Sequence, residues 1–423
     1  MEKVFIRTFG CQMNEYDSER ISGILVKDGN YTFVNSESPA DIIIVNTCSV
    51  RQHAEDRALS YIGRYVNKKK VIVVGCMAEN LKSQLFIKYP KLFGIVGTYN
   101  IPYIDKIIKK GGLYVGKNKD IYRPDIIINK NITSYITIMQ GCNNFCSYCV
   151  VPYVRGPERS RPVTEIEDEM KKLAENGCKE VTLLGQNVNS YYDKDNKINF
   201  PKLLKKLVKI DGIERIRFMT SHPKDLSEEL IETIASEKKL CKHFHLPVQS
   251  GSDHILELMN RNYTSSLYIE KTSKIREIIK DVAITTDILV GFPCENEKDF
   301  NDTVKLVEKV RFDDAFVFKY SERKGTEAAK LRDDVKEEEK LRRLNYILEI
   351  QAKISEDINN NEVGKIVDVL CLGKSLRSSD ELKTTTDKNK KVYIKAGEDK
   401  IGKILKVKIK EKRTKDAFFG EII

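Results

Sequence analysis

Residues 141–161 read GCNNFCSYCVVPYVRGPERSR, with Cys142, Cys146 and Cys149 packed into eight positions ahead of a charged run. A structural zinc site or a fully ligated iron–sulfur cluster takes four protein ligands, so a set of three leaves one coordination position to something else. Zinc fingers pair CxxC with a second pair or with histidines. Here the nearest histidines in sequence, His53 and His222, belong to no local pair. Three thiolates suit a [4Fe–4S] cube better, because they hold three irons and leave the fourth open to a non-protein ligand.

The motif follows an apolar run of strand length, SYITIMQG (134–141), and five more such runs come after it. They are EVTLLGQN (180–187), RIRFMTS (215–221), HFHLPVQ (243–249), AITTDILVGF (283–292) and AFVFKYS (315–321). Amphipathic stretches such as VTEIEDEMKKLAENG (163–177) separate them, which predicts six β/α units and an open, partial (β/α)6 barrel over 132–358. In such barrels the chemistry sits at the strand carboxyl ends. The three cysteines lie there, as do the polar residues Gln186, Asn187, Ser221, His222, Gln249 and Asp287. His243 and His245 share one strand face and read as satisfied barrel histidines. Cys178, Cys241, Cys294 and Cys371 share no spacing pattern and read as structural.

Upstream, KVFIRTFGC (3–11), ADIIIVNTC (40–48) and KVIVVGC (70–76) are three apolar runs, each ending in a cysteine, with helical patterns between them. This predicts a parallel-sheet α/β domain over 1–125 that brings Cys11, Cys48 and Cys76 to one rim. Downstream of a charged helical stretch (333–361), ILKVKIK (404–410) alternates strictly, exposing Lys406, Lys408 and Lys410. With three further strand candidates it predicts a small β-barrel over 360–423. From Asn361 onward there are 16 Lys+Arg against 10 Asp+Glu, so this tail supplies +6 of the chain's +11 and offers a surface for nucleic acid. GKS at 373–375 lacks the upstream glycine of a phosphate loop, since Asp368 occupies that position.

At 423 residues the chain is long enough for two to three domains. No apolar run reaches membrane-spanning length and the first residues enter a strand pattern directly, so a cytoplasmic protein is expected; a monomer is the expected state. Ten cysteines in that compartment argue for metal or redox chemistry over a disulfide framework.

The motif resembles that of the radical S-adenosylmethionine (SAM) superfamily. With FGCQMNEYDSE (9–19), NTCSVRQHAEDRA (46–58), GCMAE (75–79) and LLGQNVNSY (183–191), the whole chain resembles the methylthiotransferase family within it. The resemblance implies an N-terminal methylthiotransferase domain, a radical SAM barrel and a C-terminal TRAM domain that engages RNA. It implies two [4Fe–4S] clusters, one at Cys142, Cys146 and Cys149 with SAM on the open iron, and an auxiliary one at Cys11, Cys48 and Cys76 that delivers sulfur. One SAM would donate a methyl group and a second would yield the radical that activates an aromatic C–H bond, chemistry a cofactor must supply.

By the same resemblance Tyr148 is a SAM-binding candidate, and by their position at strand ends so are Gln186, Asn187, Ser221 and Gln249. Arg155, Glu158, Arg159 and Arg161 would meet substrate or RNA at the site's mouth. Lys383, Lys406, Lys408 and Lys410 would meet RNA from the barrel, although Lys383 stands where relatives carry a Gly-Arg-Thr element and cannot reproduce arginine's two-pronged contact. The implied partners are a tRNA anticodon stem-loop, a flavodoxin- or ferredoxin-like electron donor and an iron–sulfur carrier protein. The implied substrate is an isopentenyl-modified adenine beside the anticodon. The alternatives are a threonylcarbamoyl-adenosine in tRNA, an aspartate of a ribosomal protein, or a non-catalytic iron–sulfur protein that binds RNA. The basic tail favours tRNA over a basic ribosomal protein.

Overall fold

Six parallel strands open the chain: β1 (Glu2–Phe9), β2 (Tyr31–Phe33), β3 (Ile42–Thr47), β4 (Lys70–Gly75), β5 (Gly94–Val96) and β6 (Gly112–Tyr114), in the order β2-β1-β3-β4-β5-β6. The computed structural model describes residues 1–49, 52–116, 131–376 and 378–423, so the expected domain boundary at residue 125 falls outside the described residues. β3 and β4 are almost wholly buried runs of Ile and Val, as a strand covered by helices on both faces must be. The apolar sets on the two sides of the sheet are Ile43, Val45, Val71 and Val73 on one and Ile42, Ile44, Ile72 and Val74 on the other. Chain order reverses between β1 and β3, which makes that edge the topological switch point where such sheets hold ligands.

The next domain contains all six expected barrel strands, at Thr133–Thr137, Glu180–Leu184, Arg215–Phe218, His243–His245, Ala283–Val290 and Asp314–Lys319. They form two parallel three-stranded sheets. A parallel bridge from Ile216 to Leu240 joins the sheets into one open barrel. The run HFHLPVQ is strand for only three residues, because Pro247 has no N–H to give the ladder. His243 Nε2 and His245 Nδ1 both meet Thr285 Oγ1, at 2.9 and 3.0 Å, so this pair is satisfied within the wall. The long helix Glu337–Asn360 closes one side, burying Ile347 and Ile354 in the barrel core.

Five strands form the closed C-terminal barrel: Ile366–Lys374, Glu381–Thr386, Lys391–Lys395, Ile404–Thr414 and Ala417–Ile422. Val407 and Ile409 are buried while Lys406, Lys408 and Lys410 are exposed, as the alternation requires. Two arginines on one face of the strand RIRF dock this barrel onto the central domain. Arg215 donates to the carbonyls of Thr385 and Asp368 at 2.6 and 2.7 Å. Arg217 donates to those of Asp387 and Thr386 and holds Glu180 at 2.8 Å.

Candidate active site

β1, β3 and β4 end in step, because the pairing register sets Phe9 opposite Thr47 and Thr47 opposite Gly75. Cys48 and Cys76 are therefore the first residues beyond two adjacent strands, and Cys11 lies two beyond the third. The Cys48 N–H donates to the Phe9 carbonyl at 3.0 Å, Cys11 caps the helix Gln12–Asp28, and Cys76 opens the helix Cys76–Leu81. Gly75 turns the chain at φ +96°, where a Cβ would stand 2.7 Å from the Thr47 carbonyl oxygen, so no other residue allows this approach. The Cys11 thiol is pulled down to about 6, first by its hydrogen bond with Cys48 and then by the charge of Arg155, while burial pushes Cys76 up.

The second triad occupies the loop after the first barrel strand. Met139–Gln140 and Arg159–Ser160 pair antiparallel and clasp the two ends of this loop. The Cys142 N–H donates to the Gly156 carbonyl at 3.1 Å and that of Cys149 to Cys146 at 2.9 Å. Ser147 anchors the middle, donating from N to Met259 O at 3.0 Å and from Oγ to Leu258 O at 2.7 Å. Arg261, which nothing in the sequence singles out, is buried with Nη1 3.4 Å from Cys146 Sγ and Nη2 2.7 Å from the Pro247 carbonyl. Burial pushes the Cys149 thiol up to about 12.

Among the described residues, no three His, Cys, Asp or Glu side chains converge as they would on a single metal ion. A cube-shaped cluster spreads its three thiolates over three different irons, so convergence on one point is not what it needs. The donor chemistry does fit such a group: two soft thiolate sets, each with a buried guanidinium on one sulfur, Arg155 on Cys76 at 3.2 Å and Arg261 on Cys146. The two sets share a wall. Cys76 packs against Val150 and Val154, and Val150 is the neighbour of Cys149. Cys11 packs against the set of Met13, Tyr16 and Leu184, which Tyr135 and Met219 of the barrel also touch.

The other expected residues divide by environment. Gln186 Oε1 accepts from the Gly141 N–H at 2.6 Å and so positions the start of the motif. Asn187 is buried and serves its own loop, bonding Asp225 and the His222 N–H at 2.6 and 3.0 Å. Gln249 stands at φ +68° and bridges to Ile288. Ser221 Oγ and His222 Nε2 are buried polar atoms without a protein partner, just beyond the strand Arg215–Phe218. The Tyr148 ring packs into the apolar set of Ile255, Met259 and Phe292.

Arg155 and Arg161 correct the expectation that the whole charged run meets substrate or RNA at the site's mouth. Arg155 is buried against Asp17 at 2.7 Å, and Arg161 is buried against Glu169 at 2.7 Å and the Thr137 carbonyl at 2.7 Å. Neither is placed to meet RNA. Glu158 and Arg159 stay half-buried at the clasp, with the Arg159 guanidinium 4.9 Å from the centre of the Tyr99 ring. In the small barrel Lys383 is half-buried opposite Tyr393. The lysine face is interleaved with acids, Lys406 opposite Asp368 and Lys408 opposite Glu421, and Lys410 pairs with Glu421 at 2.6 Å.

A partial barrel with CxxxCxxC after its first strand, flanked by an α/β domain and a five-stranded barrel, is the architecture of a radical SAM protein with two accessory domains. Models of the radical SAM superfamily match residues 136–307, of Uncharacterized protein family UPF0004 residues 3–97, and of the TRAM domain residues 360–422. The tRNA-2-methylthio-N(6)-dimethylallyladenosine synthase of Thermodesulfovibrio yellowstonii is 47% identical over 99% of this chain and 98% of its own. That of Clostridium botulinum (strain Okra / Type B1) is 46% identical over 96% and 94%. Among solved structures, the radical SAM methyltransferase TsrM from Kitasatospora setae aligns with TM-score 0.54 at 14% identity over 75% of this chain and 73% of that one. The cobalamin-dependent SAM radical enzyme OxsB aligns with TM-score 0.54 at 12% identity over 82% and 56%. These two show the fold alone. The chain belongs to the tRNA-2-methylthio-N(6)-dimethylallyladenosine synthase family.

Proposed function

We infer that this enzyme places a methylthio group on C2 of an isopentenyl-modified (dimethylallyl) adenine beside the anticodon of tRNA. As a radical SAM protein it uses SAM and a [4Fe–4S] cluster; in our reading Cys142, Cys146 and Cys149 hold that cluster, and Cys11, Cys48 and Cys76 hold a second. When bound, the first group supplies the electron that cleaves SAM and the second supplies sulfur. The observation that carries the reading is that two three-cysteine sets, far apart in sequence, share a wall at Val150.

The chain's own residues then have defined work. Arg261 and Arg155 each keep a positive charge on a ligand sulfur, Gln186 fixes the start of the motif, and Ser221 and His222 offer polar atoms to a bound molecule at the barrel mouth. His222 is neutral there, because burial first and then the charges of Arg261, Lys224 and Lys271 pull its pKa down to about 2. Glu158 and Arg159 border the entry for the base, which must leave its stack at a cost of a few kcal/mol. Lys406, Lys408 and Lys410 would meet the phosphates of the anticodon stem-loop.

A flavodoxin- or ferredoxin-like donor and an iron–sulfur carrier would serve the site, and we read the enzyme as a cytoplasmic monomer. Among the described residues no helix is long and apolar enough to cross a membrane. The test separates the two sets. Changing Cys142, Cys146 and Cys149 to Ala abolishes SAM cleavage, whereas changing Cys11, Cys48 and Cys76 to Ala leaves cleavage and stops thiolation. Cleavage lost only in the second variant reverses the assignment.

A further inference from the structure

The N-terminal cysteine set is not complete within its own domain. Arg155 reaches it from the segment that follows Cys149, buried, with Nε 3.2 Å from Cys76 Sγ and Nη2 2.7 Å from Asp17 Oδ2. Asp17 is itself buried and lies on the helix that Cys11 caps. The guanidinium therefore joins both sides of the triad, one prong on a sulfur and one on the cysteine-bearing helix. Its segment is held from several directions: Val154 packs on Cys76, the Thr98 hydroxyl donates to the Val154 carbonyl at 2.6 Å, and Gly156 lies against Tyr99, whose hydroxyl a Cβ there would strike at 1.5 Å. A charge held this firmly on a ligand sulfur has electrostatic consequences that a freely moving side chain would not have.

We propose that Arg155, supplied by the radical SAM domain, is a positioning residue of the N-terminal sulfur-delivering site, and that the Arg155–Asp17 pair sets the reduction potential of the group held by Cys11, Cys48 and Cys76. This rests on the reading that those cysteines hold a second cluster. One-electron reduction adds negative charge to a cluster, so a cation on a ligand sulfur favours the reduced form and a nearby carboxylate opposes it. Removing the two partners should therefore move the potential in opposite directions. A residue that merely braces the fold would change cluster content or stability and would not produce opposite shifts.

The measurement uses the full chain carrying Cys142→Ala, Cys146→Ala and Cys149→Ala, so that iron loads only at the N-terminal set. It is reconstituted anaerobically with iron and sulfide and titrated potentiometrically, with the EPR signal of the reduced cluster as readout. Arg155→Met is expected to shift the midpoint to more negative potential and Asp17→Asn to more positive, with Arg155→Lys remaining nearer the parent than Arg155→Met. Because Arg155→Met leaves Asp17 buried without its partner, the neutral pair Arg155→Met/Asp17→Asn is measured as well; it retains iron and still shifts negative, since the missing cation is the group on the sulfur. Equal iron content and unchanged midpoints across these variants overturn the proposal. A parent chain that binds no iron overturns the second-cluster reading, and the proposal with it.

Discussion

Asn14 and Asn46 bind each other in both directions: Asn14 Nδ2 donates to Asn46 Oδ1 at 3.0 Å, and Asn46 Nδ2 donates to the Asn14 carbonyl at 2.7 Å. Both are fully buried. Asn14 Oδ1 also accepts from the Cys11 N–H at 3.2 Å, and its amide reaches the Thr47 carbonyl at 3.2 Å, next to Cys48. The pair thus ties the helix that carries Cys11 to the strand that delivers Cys48. Asn46→Ala strands a buried donor and acceptor, so a loss of about 1–3 kcal/mol is expected. Urea unfolding of the N-terminal domain's signal and iron content after reconstitution check it, with about four of about eight irons lost if the N-terminal set fails.

The docking of the small barrel rests on Arg217, which is buried with Glu180 and two carbonyls of the segment 386–387. Arg217→Met leaves Glu180 buried and unpaired, and removing one partner of such a pair costs about 3–5 kcal/mol. Limited proteolysis should then cut faster in 360–365, releasing the C-terminal barrel. A Glu180→Met change added to Arg217→Met should recover part of the loss, because no unpaired charge remains.

Charge reversal at Lys406, Lys408 and Lys410 tests the lysine face. Changing all three to Glu weakens tRNA binding and flattens its salt dependence, by roughly one unit of slope for each phosphate no longer neutralised. Lys410 is already paired with Glu421 at 2.6 Å, so Lys406 and Lys408 should account for most of the effect. Filter binding over a range of salt concentrations measures both quantities.

Two buried histidines predict an acid-sensitive fold. Burial, reinforced by nearby cations, lowers His222 to about 2 and His243 to about 3, against an ordinary value of 6.5. The unfolded chain therefore takes up protons that the folded chain refuses. The stability that depends on neutral imidazoles is present above pH 6.5 and is lost as pH falls from there toward 3. In chemical denaturation at pH 7 and pH 5, His243→Gln should show a smaller loss between the two than the parent.

Much of this architecture is legible because it is written in periodicity. Strand runs ending in cysteine mark the N-terminal rim, six spaced apolar runs mark the barrel, and ILKVKIK marks the lysine-faced strand, which extends further to Thr414. The short strands Tyr31–Phe33, Gly94–Val96 and Gly112–Tyr114 are not legible, since three residues are too few to show a period. The inward turn of the charged run is hidden for a different reason. The sequence around an Arg does not show its buried carboxylate, and the Arg155 partner lies 138 residues away, at Asp17. Arg261 leaves no trace in the sequence, because a single arginine after a helix has no pattern. Asn14 does leave one, three residues after the helix-capping Cys11, in the position of a capping box.

The central claim is that this enzyme thiolates one adenine of tRNA, and nucleoside mass spectrometry of tRNA tests it most directly. Cells lacking the gene should lose the 2-methylthio derivative of isopentenyl-adenosine and accumulate the unthiolated nucleoside. The wild-type gene should restore the derivative, and the Cys11→Ala gene should not. An unchanged level of the methylthio nucleoside in cells lacking the gene, with no other methylthio-transferring gene present, would contradict the account.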